Sequence, residues 1–77
     1  MNLDTYPMPP NVRKQAKRLL DQIQNSDSML HCVKCGARAE GFVLGIQTLE
    51  AISADTLENM DILFSKATDA RLVELSR

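Results

Sequence analysis

The sequence predicts an all-α protein: a three-helix antiparallel bundle with a long central helix. Three observations favour this fold class. Apolar residues recur at steps of three and four positions over most of the 77 residues, which is the spacing of one helix face. Three glycines and three prolines are few for an all-β chain, which needs many turns. Because the chain has no tryptophan, one tyrosine and two phenylalanines, the core of this single domain has to be mainly aliphatic.

The chain opens with a proline-rich stretch, residues 1–9, which we expect to be a flexible leader before a single helical domain at residues 10–77. Proline cannot continue a helix interior but can stand in the first turn. A first helix is predicted from residue 10 or 11 to residue 24, ending at the polar run 25–28, whose side chains favour helix caps. Its apolar residues share one face: Val12, Ala16, Leu19, Leu20 and Ile23.

The central helix is predicted from about residue 28 to residue 52. Its seam of apolar residues has a spacing of alternately three and four: Cys32, Cys35, Ala39, Phe42, Ile46 and Leu49. Ala37, Gly41 and Gly45 form a line of small residues along which another backbone can approach. Because each glycine costs about 1 kcal/mol relative to alanine inside a helix, a later start near Ala37 is the alternative. We predict an interface made of seven residues: Cys35, Ala39, Phe42, Ile46, Leu49, Gly41 and Gly45.

A third helix is predicted to begin near Asp55, with Glu58 completing a capping box, and to run to Leu75. The second and third helices both carry apolar residues on more than one side. A lone three-helix domain of this size cannot cover all of them, so we expect the protein to assemble as a helical homodimer. The residues that exceed one apolar face are Leu30, Val33, Leu44, Ile62, Leu72, Val73 and Leu75.

His31-Cys32-Val-Lys-Cys35-Gly36 is the segment with a chemical pattern. Two cysteines separated by two residues and followed by glycine form half of a zinc knuckle. A structural zinc site needs four ligands, so the others would have to come from a second copy, giving a zinc-stapled dimer. Redox chemistry of the thioredoxin type is a further alternative, but the βαβ pattern is missing. We expect Cys32 and Cys35 to be apolar core or interface residues, with no metal and no other cofactor.

The charges are unevenly distributed, although the net charge is only −1. Residues 1–38 carry +3 and residues 39–77 carry −4. The polar face of the first helix is basic and is the candidate anion-binding site, which keeps a DNA-contacting transcription modulator as an alternative. We expect this basic surface to pack beside acidic helices instead. Its four residues are Arg13, Lys14, Lys17 and Arg18.

The first residues lack the basic start and apolar run of a signal peptide, and the longest uncharged apolar stretch, residues 41–49, is too short to span a membrane. We therefore expect no membrane association. A closely spaced cysteine pair without a targeting signal predicts the cytoplasm, where thiols stay reduced.

The segment Phe64-Ser-Lys-Ala67-Thr-Asp69-Ala-Arg71-Leu-Val-Glu-Leu75 resembles a stretch of the Hha/YmoA family of small helical transcription modulators, which act by binding other proteins. The resemblance covers residues 64–75. It implies that Asp69 and Arg71 face a partner. The chain departs from the family because it ends where the family continues into a further helix, and because it adds the first helix and the cysteine pair.

No pattern of catalytic residues is found. The chain has a single histidine, and no serine, histidine and aspartate stand at a recognisable triad spacing. The sequence therefore predicts a protein that is not an enzyme: a small adaptor or regulator that acts through contact with itself and with a protein partner.

Overall fold

The computed structural model describes residues 3–77 and is all-helical: no strand occurs in that part of the chain. A 3₁₀ helix spans Leu3–Thr5, and three α-helices follow, α1 at Pro10–Gln24, α2 at Met29–Leu49 and α3 at Ala54–Leu75. The all-α class and the long central helix are confirmed, since α2 starts well before Ala37. None of these helices combines the length and the apolarity that crossing a bilayer requires.

The start of α1 and the turn into α2 follow directly from local chemistry. Pro10 occupies the first turn of α1, where its missing N–H is not needed, and the Pro9 carbonyl accepts hydrogen bonds from the amides of Val12 and Arg13. At the start of α2, the Ser28 hydroxyl accepts a hydrogen bond from the His31 amide at 3.0 Å. The polar run at residues 25–28 therefore separates the two helices, as the sequence predicts.

The turn between α2 and α3 differs from the prediction. Helix α2 ends at Leu49, three residues early, because Glu50 adopts the left-handed backbone conformation with φ of 53°. The cap of α3 is Ser53 rather than Asp55, and its hydroxyl oxygen accepts a hydrogen bond from the Thr56 amide at 3.3 Å. Asp55 lies in the first helical turn, where a negative charge favours the helix dipole.

The predicted leader packs against α1 from residue 3 onward, while residues 1 and 2 lie outside the described part of the chain. The side chain of Leu3 is buried in the core. The Arg13 guanidinium donates hydrogen bonds to the carbonyls of Leu3 and Tyr6. Asp4 lies 2.9 Å from Lys17 Nζ, and this contact holds the pKa of the Asp4 carboxyl below its ordinary value. Two hydrogen bonds to backbone carbonyls and the ion pairs of Asp4 with Arg13 and Lys17 thus attach this segment to α1.

The three helices enclose one aliphatic core. Helices α2 and α3 run antiparallel. A turn of only four residues joins them, and Cys32 and Gly36 in the first half of α2 both contact Thr68 in the second half of α3. Helix α1 packs on both of them. The buried apolar residues come from every element: Leu3, Ala16, Leu19, Ile23, Cys32, Cys35, Ala39, Val43, Ile46, Leu57, Met60 and Phe64.

Gly36 sets how closely α2 and α3 approach. A Cβ atom at this position would lie 2.8 Å from Thr68 Oγ1 and 3.0 Å from Thr68 Cγ2, closer than van der Waals contact permits. The Thr68 hydroxyl is held in place because it donates a hydrogen bond to the Phe64 carbonyl at 2.8 Å. Gly36 is therefore required by packing, which explains one of the three glycines in this helix.

We predict that Gly36→Ala lowers the free energy of unfolding by about 1–2 kcal/mol, because overpacking against Thr68 outweighs the gain in helix propensity. Urea denaturation measures the change. Adding Thr68→Ala removes both crowding atoms, so the double variant should lose less stability than the two single changes together. Gly41→Ala is the matched control for the monomeric chain: no described atom lies within 4 Å of its added Cβ, so at protein concentrations that keep the chain monomeric it should gain about 0.5–1 kcal/mol. A neutral Gly36→Ala would contradict this account.

Candidate protein-binding surface

The structure places the seven predicted interface residues of α2 in three different environments. Cys35, Ala39 and Ile46 are buried in the protein's own core, together with Cys32 and Val43. These residues share a face because a straight helix repeats every 3.6 residues, so Val43 rather than Phe42 continues the buried line. Most residues of the predicted seam are therefore buried by packing within the chain.

The other four predicted interface residues remain at or near the surface. Phe42 is partly buried against the core, whereas Leu49 is 74% exposed. Gly41 and Gly45 are exposed, and no atom lies within 4 Å of a Cβ built on either. Nothing within the described chain therefore requires glycine at these two positions.

Helix α2 carries a second apolar line on its outer side, which the sequence-based seam did not include. Leu30 is 66% exposed and Leu44 is 57% exposed, and Ala37 is also exposed between them. Steps of seven, four and three residues place Leu30, Ala37, Gly41 and Leu44 along one line of the helix. We call these four residues, together with Gly45, the outward face of α2.

A groove runs between α2 and α3 on the side that α1 leaves open, since no residue of α1 lines it. It consists of two adjoining hollows of about 270 and 460 Å³, and Asp61 lines both of them. We call it the α2–α3 groove. Its apolar lining comes from both helices and the turn between them: Val33, Gly36, Ala37, Val43, Ile52, Ala54, Leu57 and Phe64.

The charged residues that line the α2–α3 groove are all acidic. Five carboxylates lie along it: Glu40, Glu50, Glu58, Asp61 and Asp69. No lysine, arginine or histidine is among the described lining residues, and none of the four ion pairs found in residues 3–77 includes any of the five. The groove is therefore apolar at its floor and negatively charged along its length. Sequence reasoning missed it because the sequence of either helix alone does not show which of its sides borders the other helix.

The structure does not bring the candidate zinc ligands together at the surface. Both cysteines are free thiols buried in the core, and the Cys32 thiol points toward the Thr68 carbonyl at 3.6 Å. His31 is exposed on another side of α2, where its Nδ1 lies 3.1 Å from an Asp27 carboxylate oxygen. No group of three metal-ligating side chains occurs within residues 3–77. A zinc-stapled dimer would require both thiols to leave the core.

The basic face of α1 is partly neutralised by the chain's own N-terminal segment. Arg13 lies 3.6 Å and Lys17 lies 2.9 Å from the Asp4 carboxylate. Lys14 and Arg18 are exposed, and no described acidic residue pairs with them. Two of the four candidate anion-binding residues are thus already engaged, which leaves a small basic patch.

Asp69 and Arg71, which the family resemblance implies to be partner-facing, differ in their surroundings. Asp69 is exposed and lines the α2–α3 groove. Arg71 is turned inward: its Nε and Nη2 donate hydrogen bonds of 2.9 and 2.7 Å to the carbonyl of Ser26, a buried residue of the α1–α2 turn. Arg71 therefore fixes α3 to the α1–α2 turn.

Comparison with protein-family models, with curated proteins and with solved structures finds no match for this chain. The resemblance of residues 64–75 to the Hha/YmoA family therefore stays a prediction.

We predict that Arg71→Lys lowers the free energy of unfolding by about 1–3 kcal/mol, because lysine keeps the charge but cannot donate two N–H groups in a fixed fork. Chemical denaturation measures it. Arg77→Lys, the same change at an exposed terminal residue, should stay within about 0.5 kcal/mol of the original protein. Equal stability of the two variants would show that the contact with Ser26 contributes nothing.

We predict that Cys32 and Cys35 react with a thiol reagent at least about a hundredfold more slowly in the folded protein than in urea, because reaction requires the core to open. Colorimetric titration of the thiols measures both rates. A metal chelator should leave the folded rate unchanged. Faster labelling after chelation would instead support zinc held by these thiolates.

Proposed function

We propose that the protein is a small non-catalytic adaptor or regulator that acts through protein–protein contact and self-associates through the outward face of α2. The observation that carries the proposal is the second apolar line of α2. This helix already supplies five residues to the core, yet it keeps Leu30 and Leu44 more than half exposed on its opposite side. Large apolar side chains that are grouped on a helix face are typical of interaction surfaces.

The two outward glycines support the same proposal. Gly41 and Gly45 each lower helix stability by about 1 kcal/mol relative to alanine, and no neighbour among residues 3–77 explains them. A second helix laid against this face would use the missing side chains, since small residues allow two backbones to approach closely. A homodimer formed here would cover Leu44 and leave the core residues Cys35, Ala39 and Ile46 in place.

Two further observations agree with the setting that we propose. Cys32 and Cys35 are unpaired thiols, as expected of a protein that acts in the reducing cytoplasm. The segment that resembles the Hha/YmoA family supports a role in regulation, and Asp69 within it is exposed where a partner could reach it.

We predict that Leu44→Asp converts a dimer into a monomer by weakening self-association at least about tenfold, because the charge would be desolvated at the contact. Sedimentation velocity at micromolar concentration measures the mass. Val73→Asp is the matched control, since Val73 is 54% exposed but lies on α3. This variant should remain dimeric.

Gly41→Ala provides a second test of the contact. It should stabilise the monomer yet weaken the dimer, because its added methyl group stands where the partner backbone would lie. A monomeric original protein, or an equal effect of Leu44→Asp and Val73→Asp, would contradict self-association through α2.

A further inference from the structure

The α2–α3 groove borders the outward face of α2 and shares Ala37 with it, and its shape limits what can fill it. It extends along α2 from Val33 to Gln47, which corresponds to about 21 Å at about 1.5 Å per residue. Its walls are two helices that Gly36 and Thr68 hold close together. A channel of this length and shape fits one further helix of roughly 14 residues, which would complete a four-helix arrangement.

The floor of the groove requires an apolar surface on the occupant. Val33 and Phe64 lie at one end, and Val43, Leu57 and Ile52 lie at the other. A helix that packs here would cover the exposed Val33 at one end and the partly exposed Ile52 at the other with residues spaced three and four apart on its own inner side.

The charge of the groove requires a cationic occupant. Five carboxylates repel one another along this surface, although the whole chain carries only −1. They are too dispersed to share one metal ion, since no cluster of three possible ligands occurs within residues 3–77. Charges distributed over several turns are complementary to lysines and arginines repeated along a helix.

A second copy of this chain does not fit the groove. Two such grooves facing each other would oppose five carboxylates with five. The basic side of α1 has the right charge, but its apolar residues Ala16, Leu19 and Ile23 are buried in its own core. The occupant is therefore a different protein.

We propose that the α2–α3 groove binds a basic amphipathic helix of roughly 14 residues from a partner protein, with its apolar side on the groove floor and its lysines or arginines beside Glu40, Glu58, Asp61 and Asp69. This proposal rests on the function proposed above, because it names the partner with which the adaptor makes contact. The groove shares Ala37 with the outward face of α2 but not Leu44, so variants of Leu44 and of the groove acids test the two proposals separately.

The test uses a fluorescent helical peptide of leucine and lysine with the leucines on one side, titrated into the full chain and followed by anisotropy. A peptide of the same composition in scrambled order should bind at least about tenfold more weakly, because it cannot place leucines and lysines on separate sides. Equal binding of the two peptides would overturn the proposal, and so would the absence of binding at submillimolar protein.

Matched charge variants locate the site. Glu40→Gln combined with Asp61→Asn should weaken binding by about fivefold or more, since two groove carboxylates are neutralised. Asp21→Asn combined with Asp27→Asn makes the same change in net charge away from the groove and should change affinity by less than about twofold. Equal losses would show diffuse attraction to an acidic protein and would overturn the proposal.

Ser65→Trp fills the groove without changing its charge, and Ser65 is exposed on α3, so folding should be kept. It should reduce binding by about tenfold or more through steric exclusion. Unchanged affinity would place the peptide elsewhere. Sedimentation of the same samples reports self-association. A dimer that does not bind the peptide would overturn the groove proposal alone. A monomer that binds the peptide would overturn the self-association proposal alone.

Discussion

The close contact of α2 with α3 at Gly36 and Thr68 is the constraint on which the other features of this structure depend. The missing side chain of Gly36 brings the two backbones together, and the hydroxyl of Thr68 turns back to the Phe64 carbonyl. One turn earlier, the Cys32 thiol reaches the Thr68 carbonyl of the same partner helix. Because the helices touch here, Cys32 is buried on one side and a groove opens on the other.

Helix α2 consequently meets three environments around its circumference. Its inner side is core, one flank borders the acidic groove, and its outer side carries the exposed Leu30 and Leu44. The charges follow this division. The bases of α1 lie away from the groove and are partly paired with Asp4, whereas the groove acids have no described cation beside them. The net charge of −1 is thus the sum of a basic surface on α1 and an acidic surface along the groove.

The sequence predicted those parts of the fold that depend on neighbouring residues. Proline at residue 10 and the polar run after residue 24 determine α1, and periodicity identifies α2. The end of α2 was missed because Glu50 takes a left-handed conformation without the glycine that usually signals it. The family resemblance implied a partner for Arg71, and its contact with Ser26 was not predicted because the two residues are 45 positions apart in the chain. The groove was not predicted because the sequence of each of its two helices, taken alone, is that of an ordinary charged helix.

The stability of so small a chain links its binding surfaces to its folding. A domain of 77 residues buries a limited share of its surface and is correspondingly marginal. Helix α2 supplies five core residues and also both candidate surfaces, so no partner can bind without contacting an element that holds the fold together. A ligand that binds only the folded state adds about 2.7 kcal/mol at a hundred times its dissociation constant. Occupation of either proposed surface would therefore stabilise the folded state of the same helix that supplies the other surface.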